Sequence, residues 1–154
     1  MPIWSADGTR IAFTSWRNGD WDLYQKATNG SGEEEVLFES NEGKFPSHWS
    51  SDGRFLAYTN QSLNRSSDVW VLPLFESRQP IPFAQTKFIE RRACFSPNGR
   101  WPAYSSNESG REEVCVRPFP PSTGVWRVST AGGTQPSSLS DFPSKQVTGK
   151  KRET

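Results

Sequence analysis

Trp4-Ser5-Ala6-Asp7-Gly8-Thr9-Arg10-Ile11-Ala12-Phe13 (WSADGTRIAF) reads as a hairpin, with a tight Asp-Gly turn between two short apolar runs. It decides the fold because it returns, as WSSDGRFLAY at 49–58 and as FSPNGRWPAY at 95–104. Aligned on the turn glycine, Gly8, Gly53 and Gly99 stand 45 and 46 residues apart. The aromatics Trp4, Trp49 and Phe95 keep the same step, as do Ala12, Ala57 and Ala103, and then Phe13, Tyr58 and Tyr104. Units one and three also match through the next loop, Gly19 with Gly110, Asp22 with Glu113 and Leu23 with Val114. Unit two carries one extra loop residue, after which Asp68-Val69-Trp70 matches Asp22-Leu23-Tyr24. A fixed period of this length marks a repeat architecture.

Each unit holds four strand-like runs. In the first they are Pro2–Ser5, Arg10–Ser15, Trp21–Ala27 and Glu35–Glu39. Turn chemistry joins them. Asp or Asn tolerates the bridge region, the following Gly supplies φ > 0, and Pro97 presets φ at the second turn position of the third copy. Asn18-Gly19 and Ser109-Gly110 serve the next turn. Four antiparallel strands in about 45 residues make the blade of a β-propeller. The expected fold is all-β: three four-stranded antiparallel blades of an incomplete, open propeller. The blades run over about 2–40, 45–85 and 92–131, a fourth begins at 132–136, and 137–154 reads as a disordered polar tail. The rings at Trp4/Trp49/Phe95, Phe13/Tyr58/Tyr104 and Tyr24/Trp70, with Cys115 at the last place, are expected between blades as packing.

Composition agrees. Of 154 residues 32% are hydrophobic, yet there are seven Trp and ten Phe, which suits short strands whose large rings fill the space between sheets. Twelve Gly and twelve Pro punctuate the chain, and no stretch keeps helical apolar spacing over three turns. The net charge of +1, from 18 basic and 17 acidic residues interspersed, leaves no footprint for nucleic acid. Arg91-Arg92 and Lys150-Lys151-Arg152 read as solvated surface. No run approaches the length of a membrane span, and Met1-Pro2-Ile3-Trp4 shows no signal-peptide pattern. The Asn-x-Ser matches at Asn29, Asn60, Asn64 and Asn107 follow from loop composition.

The phrase from Trp4 to Tyr24, Trp-Ser-x-Asp-Gly-x-x-Ile-Ala-Phe-x-Ser-x-Arg-x-Gly-x-x-Asp-Leu-Tyr, resembles the blade repeat of TolB-like (WD-repeat-like) β-propellers, and the resemblance covers about 2–136. The wording through Val125-Trp126-Arg127-Val128-Ser129-Thr130-Ala131-Gly132-Gly133-Thr134-Gln135-Pro136 is most similar to propellers fused behind bacterial serine/threonine protein kinases. Similar blades occur in TolB and before the catalytic domain of prolyl-oligopeptidase-type peptidases. The resemblance implies a binding or sensing scaffold, in a parent family that is often periplasmic or membrane-tethered. Compartment is not set by this sequence.

Two departures bear on the reading. A propeller closes with four to eight blades, whereas the fourth unit here starts and then gives way to Ser137-Ser138-Leu139-Ser140-Asp141-Phe142-Pro143. Pro102 stands where Ile11 and Leu56 do, on an interior strand in which proline removes a ladder bond. Together they point to a truncated piece of a larger propeller protein, needing further blades or self-association to cover its open faces.

Chemistry leaves few marks. Gly-x-Ser-x-Gly and the kinase motifs are missing, and His48 is the lone histidine. Cys94 and Cys115 fall two strands apart, about 9–10 Å, which exceeds the roughly 7 Å Cα separation a disulfide allows. Two free thiols are expected, with no metal or cofactor site and no catalysis. Asp7 and Asp52 are turn residues, and Glu33-Glu34-Glu35 and Glu112-Glu113 a solvated edge. What remains is a rim of loops able to take a protein or peptide: Arg17, Asp20, Lys44, Asn64, Arg65, Arg91, Glu108 and Arg111.

Overall fold

The structure, a computed structural model, describes residues 1–64 and 66–137 and the backbone of 150–151. Three antiparallel sheets follow one another along the chain. The first orders β1 (Ile3–Trp4), β2 (Arg10–Trp16), β3 (Trp21–Ala27) and β4 (Glu35–Phe38). The second orders β5 (Gly43–Trp49), β6 (Phe55–Gln61), β7 (Ser67–Pro73) and β8 (Ile81–Ala84). The third orders β9 (Glu90–Cys94), β10 (Ala103–Ser106), β11 (Glu113–Val116) and β12 (Trp126–Arg127). A two-residue strand, β13 (Lys150–Lys151), pairs outside β12. Residues 132–137 carry no strand. Apart from Ser137 and β13, the tail expected to be disordered lies outside the described residues.

The hairpin between the first two strands of each blade is built the same way three times. Gly8 N–H donates to Ser5 O at 2.9 Å, Ser5 Oγ–H to Asp7 Oδ1 at 2.6 Å, and Arg10 N–H to Ser5 Oγ at 2.9 Å. Ser50 and Ser96 repeat the bonds with Asp52 and Phe55, and with Asn98 and Trp101. Gly8, Gly53 and Gly99 close the turns at φ 70°, 72° and 70°, which an L side chain rarely adopts. Asp7 is accordingly held low, to about 2, by the Ser5 hydroxyl and the Thr9 backbone and hydroxyl. The serine at the hub was aligned with the rest of the phrase, but its hydroxyl is what joins turn to strand.

Packing between blades obeys one rule. The aliphatic face of a blade receives the ring-bearing face of the next. Ala12, Leu23 and Leu37 of the first meet Trp49, Leu56 and Tyr58 of the second. Ala57, Val69, Val71 and Phe83 of the second meet Phe95, Tyr104 and Cys115 of the third. The rings expected between blades are there in the second and third sheets, with Trp49, Tyr58, Phe95 and Tyr104 all buried. Trp4 departs from the expectation. It is 60% exposed, and Phe13 is only half-buried, because no sheet among the described residues covers that face. At the far end Ala103 and Val114 are half-buried, whereas Ala12, Ala57, Leu23 and Val69 at the same repeat places are fully buried.

Pro102 is accommodated by shortening. Where β2 and β6 have seven residues each, β10 has four and begins just after the proline. Its register against β9 shifts between Ala103 and Ser105, as that of β5 against β6 does between Pro46 and His48, so the bulge belongs to the repeat and not to the proline. The Pro102 carbonyl still accepts from Arg117 N–H at 3.3 Å. Pro46 and Pro82 sit on the edge strands β5 and β8, where proline is tolerated. No helix among the described residues is long and apolar enough to cross a membrane.

Candidate functional site

The loops β2–β3, β6–β7 and β10–β11, with β4–β5 and β8–β9, gather at the end of the blades opposite the Asp-Gly turns. Beneath them runs one repeat position, Asp22, Asp68 and Glu113, at or next to the start of the third strand of each blade. Sequence alignment placed these three in register without marking them. Each carboxylate has a different environment, and that difference is the main electrostatic feature of this end.

Between the first two blades the charge is neutralised from within. Lys44 on β5 reaches back to Asp22 on β3, Nζ to Oδ1 at 2.8 Å, with both side chains almost wholly buried. The ammonium also donates to the carbonyls of Ser40 at 3.0 Å and Glu42. Ser40 N–H donates to Asp22 Oδ1 at 3.2 Å. A buried pair persists when its remaining donors and acceptors are satisfied in this way. The expectation that Lys44 belongs to a surface rim is therefore corrected: it is 0% exposed and serves as an interior counter-charge.

In the third blade Glu113 is held by its own hairpin. Arg111 Nε donates to it at 2.8 Å, Gly132 N–H at 3.1 Å, and the Ser129 hydroxyl also donates. Ser129 first, then Gly132 and Arg111, keep its carboxyl below the ordinary range. Asp68, in the second blade, has a side-chain hydrogen bond with Gln85 but no ion pair among the described residues. Its Oδ1 is buried without a hydrogen bond among the described residues, and burial, with Glu42 nearby, pushes its carboxyl up.

The remaining rim candidates divide. Arg17 turns away from the loops and lies along the open face of the first blade, 4.5 Å over the Tyr24 ring and ion-paired with Glu34. It does there part of what a preceding blade does elsewhere, which is why Tyr24 is only 4% exposed. Asn64 closes its own turn, accepting from Ser66 N–H at 3.2 Å. Arg91 pairs with Glu112 (Nε 2.8 Å), and Arg92 approaches the same carboxylate at 3.9 Å. Arg111 borders a cleft of about 330 Å³ with Glu113, Arg127 and Thr130. Glu108 is exposed and Asp20 half-buried. Arg65 lies outside the described residues. So Glu108 and Arg111 stand on the third blade's β10–β11 loop with Arg91 of β9 bonded to Glu112 of the same loop, Asp20 and Asn64 stand on the loops of the other two blades, and Arg17 and Lys44 leave the group.

A second concavity, about 500 Å³, opens between the first two blades at the turn end, with Asp7, Arg10, Asp52 and Arg78 in its wall. Arg78 of the second blade bonds Glu35 of the first at 2.8 Å, and together with Gln25 lowers the Glu35 carboxyl. His48 is lowered by burial and its Nδ1 accepts from Phe95 N–H at 3.3 Å. Cys94 and Cys115 are buried thiols outside any disulfide, and burial pushes the Cys115 thiol up to about 11. A thiol so placed stays protonated and unreactive at neutral pH.

No protein-family model matches the chain, and no curated protein matches it in sequence. Solved structures do match in fold. A protein described as a TolB from Agrobacterium tumefaciens superposes with a TM-score of 0.80 at 19% identity, over 89% of this chain and 49% of that one. TolB from Acinetobacter baumannii gives 0.74 at 20% identity, over 91% and 35%. A structure from a study of two prolyl endopeptidases gives 0.59 at 12%, over 80% and 20%. The chain thus has the blade architecture of TolB-like propellers and spans about half, or less, of the structures it matches.

Proposed function

We propose that this chain is a non-catalytic interaction or sensor module, a part of a larger TolB-like or kinase-fused propeller protein. The observation that carries the reading is Trp4. It stands where Trp49 stands in the next blade, yet is 60% exposed against 6%, on a face whose counterparts are blade-to-blade interfaces. Such a face is built to be covered by another blade, and the half-buried Ala103 and Val114 make the opposite end its complement. The partner-binding surface in this reading is the loop end, with Asp20, Asn64, Arg91, Glu108 and Arg111 offering mixed charge to a protein or peptide.

Sedimentation velocity and thermal unfolding of the 154-residue chain test the truncation. Concentration-dependent association with a broad transition supports it; a monomer at micromolar concentration that melts cooperatively overturns it. The second reading, the propeller portion of a kinase or of a prolyl-oligopeptidase-type peptidase, is favoured by the fold likeness to a prolyl endopeptidase. The reading frame on either side of this sequence separates the two. Kinase motifs upstream or a hydrolase Ser/Asp/His domain downstream supports an enzyme, and neither supports the module.

A further inference from the structure

The repeat places Glu90 of the third blade where Lys44 stands in the second. The offset of 46 that carries Trp49 to Phe95 carries Lys44 to Glu90 and Asp22 to Asp68. It also carries the two carbonyl acceptors of the ammonium cage, Ser40 and Glu42, to Thr86 and Phe88. The first interface therefore closes on one carboxylate, two carbonyls and a cation, and the second presents two carboxylates and, among the described residues, no built-in cation.

The second arrangement is unbalanced atom by atom. Glu90 is 1% exposed, and its Oε1 accepts from the Thr86 hydroxyl at 2.6 Å and from Ser106 at 3.4 Å. Its Oε2 is buried with no hydrogen-bond partner among the described residues, and so is Asp68 Oδ1. Each carboxylate is near enough to bear on its neighbour, Asp68 on Glu90 and Glu42 on Asp68. None of the ion pairs among the described residues includes Asp68 or Glu90. A buried charge without a partner is costly enough that a native fold supplies one.

We infer that the slot between the second and third blades is a binding site for a hard inorganic cation, held by Asp68 and Glu90 at the place the Lys44 ammonium takes between the first and second. The donor set is oxygen only, which suits calcium, magnesium or potassium rather than a thiolate- or imidazole-seeking metal. Among the described residues no three His, Cys, Asp or Glu side chains form a metal cluster; the further ligands assigned by the repeat are the main-chain carbonyls of Thr86 and Phe88, counterparts of those that take the Lys44 ammonium. The site lies in the blade interface, and it stands whether or not the loop end binds a protein.

Thermal unfolding of the chelator-treated chain tests this, with CaCl2, MgCl2 or KCl added at constant ionic strength and calorimetric titration of the same salts as a second readout. The expected result is a saturable rise in Tm of about 5 °C or more with one of them at 100-fold excess over its dissociation constant. Glu90→Gln is expected to lose the response. Glu90→Lys is expected to lose it too while melting higher than wild type without added salt, since it rebuilds the Lys44 arrangement. No response to any of the three cations overturns the site, as does a response that survives in Glu90→Lys. A Tm that rises only on acidification, in wild type and not in Glu90→Gln, means a proton shared between the two carboxylates and also overturns it. So does a wild type that is indifferent to salt but falls in Tm with Arg65→Ala, which assigns the charge to the chain itself.

Discussion

Trp4 and Trp49 begin the same phrase in consecutive blades, followed in each by Ser-x-Asp-Gly and the same serine-centred turn. One is 60% exposed and the other 6%. The turn at Trp4 is fully formed, with Ser5, Asp7 and Arg10 bonded as Ser50, Asp52 and Phe55 are. What differs is the neighbour. Local sequence specifies a blade completely, whereas burial of its ring face belongs to the pair of blades, as in any stacked repeat. The first blade compensates in part by laying Arg17 over Tyr24.

The comparison can be broken most directly at the two tryptophans. Trp49→Ala is expected to cost about 3–5 kcal/mol, and Trp4→Ala within about 0.5, by denaturant unfolding. Equal losses would show that the first blade's face is covered in solution. Lys44→Met tests the interior charge at the same interface. Asp22 is then left buried and unpaired, for an expected loss of about 3–5 kcal/mol that a further Asp22→Leu change should largely restore. At the turns, Ser5→Ala and Ser50→Ala are expected to cost about 1 kcal/mol each, and alike, because the hub is local and indifferent to the neighbouring blade. The smallest effect is the pH response of the second interface. His48 is held below 6.5 by burial, so the unfolded chain takes up the proton first. Stability is full above 6.5 and declines as the pH falls toward the folded value, a slope that His48→Gln should flatten.

The strands, their turns and the ring positions were legible because they are short-range: an Asp-Gly, a period and an alternation suffice. Pro102 was legible as a misfit, and the structure resolves it by starting β10 two residues later than its counterparts β2 and β6. Lys44 was not legible as a buried group, because a lysine in an Asn-Glu-Gly-Lys loop reads as surface until Asp22, 22 residues earlier, is known to face it. Arg17 misleads for a related reason. Its long stem reaches from the loop back over Tyr24, and a position in a loop does not fix where a four-carbon reach ends. The acidic series Asp22, Asp68 and Glu113 was visible as an alignment, but its meaning lies in what opposes each member.

Packing of an aliphatic face against a ring-bearing face has a direction. Ala12, Leu23 and Leu37 accept rings, and Trp4, Phe13 and Tyr24 offer them, so the two ends of the row are unlike and self-complementary only head to tail. A blade added before Trp4 must present its aliphatic side, and one added after β11 its rings. Any assembly this chain enters is therefore a vector: it closes into a ring or extends as a one-way stack, and a face-to-face mirror pairing of two first blades is excluded by the same rule that orders blades one to three.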